Sequence, residues 1–404
     1  MEKGRLGASL MYVAIFAGGG IIGSLASSFF LMMEDLGTNP LGMGFLATAP
    51  LLGLSLLGLS LMLWWKRLVT KEGFGRMVAL LMAGTALAGL SCPLKNFWLL
   101  GASRILLGTC SMGLVLLLLV LSLEWFMERL NLMVLIGILS LLLGTLFSSF
   151  FGSLITHLLG GWEKLPLFLG LLAGGCFLLW LLLGPFLPPL PDGGHTTTET
   201  FQTLKNPSLF YSSLMLYTLL AYLGVFSFIF VKLPGSWELA LLSKEMIFSL
   251  PFYLAAAAHS LLVVLASPLF LSLASEKKRR RSMCLISGLL SPLFGLLTFN
   301  LPFSDGWMIL ILESITLALL QLSILLPLWI LLLQELPGVS LENFIPSMGG
   351  ILFLSGAMGG SATLILGWAL FQSWSTFRMV INLLVLSWGA SALGGYFLTR
   401  EGIE

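Results

Sequence analysis

The sequence predicts an all-α polytopic membrane protein, with twelve transmembrane helices in two pseudo-symmetric six-helix bundles. Three observations carry that reading. Of the 404 residues 58% are hydrophobic and 9% charged, with a mean hydropathy of +1.02, whereas soluble domains carry about 25% charged residues. Cutting the chain at its charges, prolines and glycine clusters leaves about twelve apolar stretches close to the roughly 20 residues that a spanning helix needs. The cations are gathered into a few short loops, the pattern that marks the cytoplasmic side of a membrane protein.

Taken in order, the spans are expected near residues 10–32, 40–64, 76–94, 97–123, 131–157 and 165–187 in the first half. In the second half they fall near 207–231, 249–273, 282–301, 306–333, 346–371 and 376–398. Met1 to Ser9 is a short polar tail with Lys3 and Arg5 and no cleavage-site pattern behind it, so the first span is expected to be retained with its N-terminus inside. The densest charge in the chain is Glu276-Lys277-Lys278-Arg279-Arg280-Arg281, between two apolar stretches. Five adjacent cations resist crossing a bilayer, so that loop is cytoplasmic. With twelve spans the loops bearing Lys66, Arg67, Lys71, Arg76, Arg129 and Lys205 fall on the same side, together with both termini. Glu34, Asp35, Glu163, Glu238 and Asp305 fall outside.

The longest polar break, with Pro191-Asp192-Gly193-Gly194 and a threonine-rich turn, reads as a solvated linker. It divides the chain into an N-terminal bundle at 1–187, a linker at 188–206 and a C-terminal bundle at 207–404. Similar offsets recur in the two halves. Trp98 precedes Arg104 by six positions as Trp307 precedes Glu313, and Gly144, Gly152 and Trp162 resemble Gly356, Gly360 and Trp374. Such offsets favour a parallel repeat.

Ionisable side chains inside spans are costly, which makes them functional candidates. They are Arg104, Glu313 and His259. Arg104 could also snorkel to the surface, and His259 beside Ser260 suits an interhelical hydrogen bond. Gly19 with Gly23, and Gly356 with Gly360, have the spacing that lets membrane helices approach closely. Cys92, Cys110, Cys176 and Cys284 are too scattered to predict disulfides or a metal site, and His195 alone is no metal ligand set. Neither a cofactor nor a nucleic-acid partner is implied, because the cations sit in a few loops and form no basic face.

With these residues in hand, the chain resembles the major facilitator superfamily, whose transporters set two six-helix bundles around a central substrate cavity. The superfamily's loop after the second helix carries Gly, then Asp-Arg-x-Gly-Arg. Glu72, Gly75 and Arg76 stand at its acidic, glycine and arginine positions, with Gly73 for the first basic residue and Leu68 for the leading glycine. Ser272, Glu276, Lys277, Arg280 and Arg281 match it again in the second half, with Arg279 for the central glycine. The resemblance therefore implies a cytoplasmic gate made of Glu72, Gly75, Arg76, Glu276, Lys277 and Arg280. Arg104 followed by Gly108 resembles the fourth-helix pattern, and Gly160-Gly161-Trp162 the end of the fifth helix. The Gly-Pro pair of the efflux antiporters is absent between Gly137 and Gly152, while Asn206-Pro207-Ser208 and Phe248 to Pro251 look like organic-anion and sugar-type facilitators.

In that superfamily helices one, four, seven and ten line the cavity. The resemblance implies substrate-binding roles for Arg104, Glu313, Tyr217, Tyr222, Ser27 and Gln321, with Ser24, Ser28, Thr109, Tyr211 and Thr316 nearby. Each hydroxyl could equally bond its own helix backbone. The expected function is secondary transport of a small organic solute, an organic anion or a zwitterion, by alternating access, either as a symporter using a proton or a sodium ion or as a uniporter. The protein is expected to be a monomer in a plasma or bacterial inner membrane. Two alternatives stand beside it. A lipid scramblase or a non-transporting membrane assembly factor would share the fold. A membrane-embedded enzyme is opposed by the lack of His-Glu-x-x-His and Gly-x-Ser-x-Gly motifs.

Overall fold

The computed structural model describes residues 2–68, 71–125, 130–183, 207–227, 261, 277–300, 312, 315–316, 319–320 and 344–401. Eleven helices, labelled in chain order over these residues, make up the described chain. They are α1 (Glu2–Asp35), α2 (Pro40–Leu68), α3 (Lys71–Leu90), α4 (Phe97–Trp125), α5 (Leu130–Leu159), α6 (Lys164–Leu183), α7 (Pro207–Ser227), α8 (Lys277–Asn300), α9 (Phe344–Gln372), α10 (Trp374–Ser387) and α11 (Ala390–Glu401). The backbone is helical because hydrocarbon offers no outside partner for N–H and C=O groups, and a helix satisfies them internally. Among the described residues nine helical segments are long and apolar enough to cross a membrane. Helix α5, at 30 residues, is itself about 45 Å long.

Helix ends are set by local chemistry. Asn39 accepts from Gly42 N at 2.9 Å and Asn96 from Leu99 N at 3.0 Å, each capping a helix at the third residue of its first turn. Ser373 does the same for Thr376 N at 3.1 Å. Pro40 and Pro207 each take the first helical position, where a missing N–H costs nothing. Helices α1 and α5 stop at Gly37 and Gly160, whose φ of 58° and 76° suit a residue without Cβ.

The chain divides into two compact units. One comprises Met1–Thr38, Ala49–Ser60 and Trp64–Thr196, and the other Asn39–Thr48, Leu61–Leu63 and Thr197–Glu404. Helix α2 is thus shared, and its first turns belong to the second unit. There an ideal Cβ on Gly44 would lie 2.8 Å from Gly367 Cα, and Thr48 Oγ1 donates to Gly360 O at 3.4 Å.

In the first unit α1 is central, packing on α3, α4, α5 and α6 and most extensively on α5. Its glycines make that possible. A Cβ on Gly19 or Gly23 would run into the backbone carbonyl of Leu141 or Thr145, and one on Gly144 into that of Phe16. Ala14, Ile15, Phe74, Val78, Met82, Leu114 and Trp180 form one cluster around α1, and Ala17, Ile21, Leu107, Leu169 and Ala173 another. The outward faces are as apolar as the inside. Leu80 is 70% exposed, Leu182 69% and Trp98 75%, an arrangement that only hydrocarbon outside tolerates. Buried hydroxyls are common instead, and Ser55, Thr85, Ser122, Ser212, Thr316 and Ser355 each donate to a carbonyl four residues back.

In the second unit α7 packs on α9 and α11, and α8 on α11 and α10. The last span, expected as one helix over 376–398, is divided at Trp388-Gly389. Trp388 N bonds to Val385 O at 3.1 Å and Gly389 N to Leu386 O at 3.1 Å. These are the tighter three-residue bonds that bend a helix. Ser387 Oγ takes up the Leu384 carbonyl at 2.6 Å. Asn300 at the end of α8 and Asn382 on α10 exchange side-chain hydrogen bonds of 2.8 and 3.1 Å.

Candidate functional site

Arg104 lies two turns into α4 and is 3% exposed. Its side chain crosses to α1, where Nη2 donates to Ile22 O at 3.0 Å and Nη1 reaches Ile21 O at 3.5 Å. Each of those carbonyls has a second lone pair beyond its intrahelical bond, which is what a guanidinium can use. Ser24 Oγ donates to the same Ile21 O at 2.8 Å. The arrangement therefore joins a cation, a hydroxyl and two backbone oxygens. It stands beside Gly19, Gly20 and Gly23, where the lack of side chains brings α1 against α5. A guanidinium has five N–H donors in a planar fork, and exchanging carbonyl partners for a carboxylate would give it the stronger, charge-assisted bidentate pair.

The other residues singled out by sequence are distributed as follows. Ser27 is half-buried and donates to Ser24 O at 3.1 Å, its hydroxyl lying against Gly152 of α5. Ser28 meets Thr156 at 3.5 Å, and Thr109 donates to Gly53 O at 3.0 Å. In the second unit Tyr217 shares a 2.9 Å hydrogen bond with Ser387. Tyr222, 2% exposed, meets Trp388 edge to face with centroids 5.5 Å apart. Both tyrosines thus address the bend between α10 and α11. Tyr211 stacks on Phe397 at 5.0 Å. Glu313, Gln321, His259 and Glu276 lie outside the described residues.

Of the residues that the resemblance assigns to a gate, Gly75 accepts from Trp180 Nε1 at 3.2 Å, tying α3 to α6, and Arg76 is exposed. Glu72, Lys277 and Arg280 stand in the first turns of α3 and α8, and their side chains lie outside the described set.

A charge cluster at the far end of the first unit had no sequence signal, since its members come from three separate loops. Asp35 ends α1, Lys95 sits in the left-handed region (φ 46°) between α3 and α4, and Trp162 and Glu163 precede α6. Lys95 Nζ is 2.7 Å from Asp35 Oδ2 and 3.9 Å from Glu163 Oε2, while Trp162 Nε1 donates to Asp35 Oδ2 at 2.9 Å. The hydrogen bond from Lys95, then that from Trp162, holds the Asp35 carboxyl below its ordinary value, and the same bond holds Lys95 above its own.

The Major Facilitator Superfamily model matches residues 8–341 of this chain. Two solved structures are similar to it across nearly their whole length, both of a bacterial homologue of the human lysosomal transporter Spinster. The inward-facing, unoccupied form aligns with a TM-score of 0.67 at 14% identity, covering 98% of this chain and 96% of that one. The inward-facing, occupied form aligns with a TM-score of 0.65 at 13% identity, with the same coverage. At that identity the likeness is one of fold. No curated protein sequence matches the chain.

Proposed function

The chain belongs to the Major Facilitator Superfamily, a family of secondary transporters, and from that premise we propose that it moves a small organic solute, an organic anion or a zwitterion, by alternating access. The observation that carries this reading is Arg104, a fully buried cation held by the carbonyls of Ile21 and Ile22 on the glycine-rich part of α1. Burying a charge costs several kcal/mol even after relaxation, and a transporter recovers that cost when an anionic group replaces the carbonyls. Glu313 stands at the matching place of the sequence repeat. It would face the cationic end of a zwitterion or pair with Arg104 when the solute is absent. Transport needs no bond-making, and the reading assigns no catalytic residue.

Uptake into proteoliposomes, with organic acids, amino acids, sugars and lipids offered with and without a proton or sodium gradient, tests it. Arg104→Ala and Glu313→Gln should each abolish uptake, because removing one partner strands the other charge. The exchange of Arg104→Glu with Glu313→Arg should recover more than either single reversal. Near-normal uptake by both neutral variants, in protein shown to be folded and inserted, ends the proposal. Movement of lipid alone would assign the chain to the scramblases.

A further inference from the structure

The break in the last span fixes the direction of one hydrogen bond. In an unbroken helix Trp388 N would donate to Leu384 O, but here it turns to Val385 O at 3.1 Å. The hydroxyl of Ser387 takes its place and donates to Leu384 O at 2.6 Å. A carbonyl oxygen only accepts and a serine has a single O–H proton, so the Ser387 proton is committed to Leu384. In the 2.9 Å bond between Tyr217 and Ser387, Tyr217 is therefore the donor and Ser387 the acceptor. The chain runs one way, from the Tyr217 hydroxyl through Ser387 to the Leu384 carbonyl, and each link polarises the next. The break itself is pinned from two sides. Trp388, 1% exposed, meets Tyr222 of α7 edge to face. On the α8 side a Cβ on Gly295 would come within 2.5 Å of Trp388 Cζ3, so only a glycine leaves the indole its place. Tyr217 is half-buried, and its phenol oxygen, with the proton engaged, offers a solute only lone pairs. Such an oxygen attracts an N–H or O–H group and repels a carboxylate.

Given the transport reading above, and the substrate-binding role that the resemblance gives Tyr217, we propose that Ser387 is a specificity-determining positioning residue. It holds Tyr217 as an acceptor toward the solute, so that α7 favours a solute with an ammonium or hydroxyl donor and disfavours a plain carboxylate. Of the two solute classes above, this selects the zwitterion. The selection works by repulsion as well as attraction, since the wrong solute meets lone pairs with lone pairs.

The first measurement needs no solute. The chain has six tyrosines, so in full-length protein carrying tyrosine isotope-labelled at ring Cζ, the Tyr217 resonance is the one lost in Tyr217→Phe. Its shift should be that of a donating phenol in the wild type, persist in Ser387→Thr and move in Ser387→Ala. A wild-type Tyr217 that accepts, or one indifferent to Ser387→Ala, overturns the proposal. The second measurement is uptake into proteoliposomes of amino acids paired with their deaminated acids, phenylalanine with hydrocinnamate and aspartate with succinate. The wild type should take up the amino acid of a pair with the lower KM. Ser387→Ala frees the Tyr217 proton for a carboxylate, and it should narrow the ratio of the two KM values about tenfold, as one hydrogen bond to a charged group does. Ser387→Thr should restore the ratio. Equal loss of both solutes in Ser387→Ala would be a structural effect alone, and overturns the proposal while transport stands. Preference of the wild type for the deaminated acid does the same. Uptake of neither member of any pair overturns the zwitterion assignment together with the transport reading beneath it.

Discussion

Substituting Gly23 by alanine tests whether the close approach of α1 and α5 holds the first unit together. An ideal Cβ on Gly23 lies 2.9 Å from both the carbonyl carbon and the Cα of Thr145, and nearer still to the carbonyl oxygen. Ordinary contact begins at 3.4 Å, so the two helices must part by at least about 0.5 Å on the carbon contacts alone. The obstacle is backbone, which cannot turn aside as a flexible side chain would. Overpacking of this kind costs roughly 1–3 kcal/mol. Alanine also favours the helix over glycine by as much as about 1 kcal/mol, and that gain must be removed before the packing cost is read. Gly175 supplies the control, since it lies in α6 with nothing within 4 Å of its ideal Cβ. Unfolding by a denaturing detergent should show Gly175→Ala as stable as the wild type or more so, and Gly23→Ala lower by about 1–3 kcal/mol relative to that control. Transport should fall as well, because the same displacement moves Ile21 and Ile22 away from Arg104. A Gly23→Ala protein as stable as Gly175→Ala would refute the reasoning, and the α1–α5 contact would then be incidental to stability.

Two further outcomes are expected. Asp35→Asn should cost about 0.5–1 kcal/mol, a small figure because the pair with Lys95 is screened by solvent at 43% and 39% side-chain exposure. A carboxyl held below its ordinary 3.8 stabilises the fold above that pH and loses the contribution as pH falls through the lowered value. The stability gap between wild type and variant should therefore be constant near neutrality and close in strong acid, and a gap that widens in acid would contradict the assignment. For orientation, which we propose places both termini and the α8 basic run in the cytoplasm, single cysteines at Gly37 and at Arg279 decide. The four native cysteines are buried. An impermeant thiol reagent applied to intact cells should label the Gly37→Cys protein only, and labelling of both sites from outside would sink the topology.

Sequence alone determined the class of this protein, since composition and the spacing of the apolar stretches leave no soluble alternative, and hydrocarbon admits only helices or closed barrels. The end of the fifth helix at Gly160, the span starts at residues 40 and 207 and the intramembrane cation Arg104 were legible, because glycines, prolines and buried charges are local signals, whereas the stop at Gly37 was not read from the sequence. The tertiary structure decided what those signals touch. Arg104 turns to carbonyls of α1, and a carbonyl belongs to every residue, so no residue type announces it. Tyr217 and Tyr222 address the α10–α11 bend, a partner 170 positions away from Tyr217 in the chain. The Asp35, Lys95 and Trp162 cluster forms only when α1, α3 and α6 are packed together. Hydropathy fixes that a helix crosses the membrane, but its rotation about its own axis depends on which neighbours lack side chains. In a chain whose outer and inner faces are equally apolar, glycines such as Gly19, Gly23 and Gly144 set that rotation by where they let backbones meet.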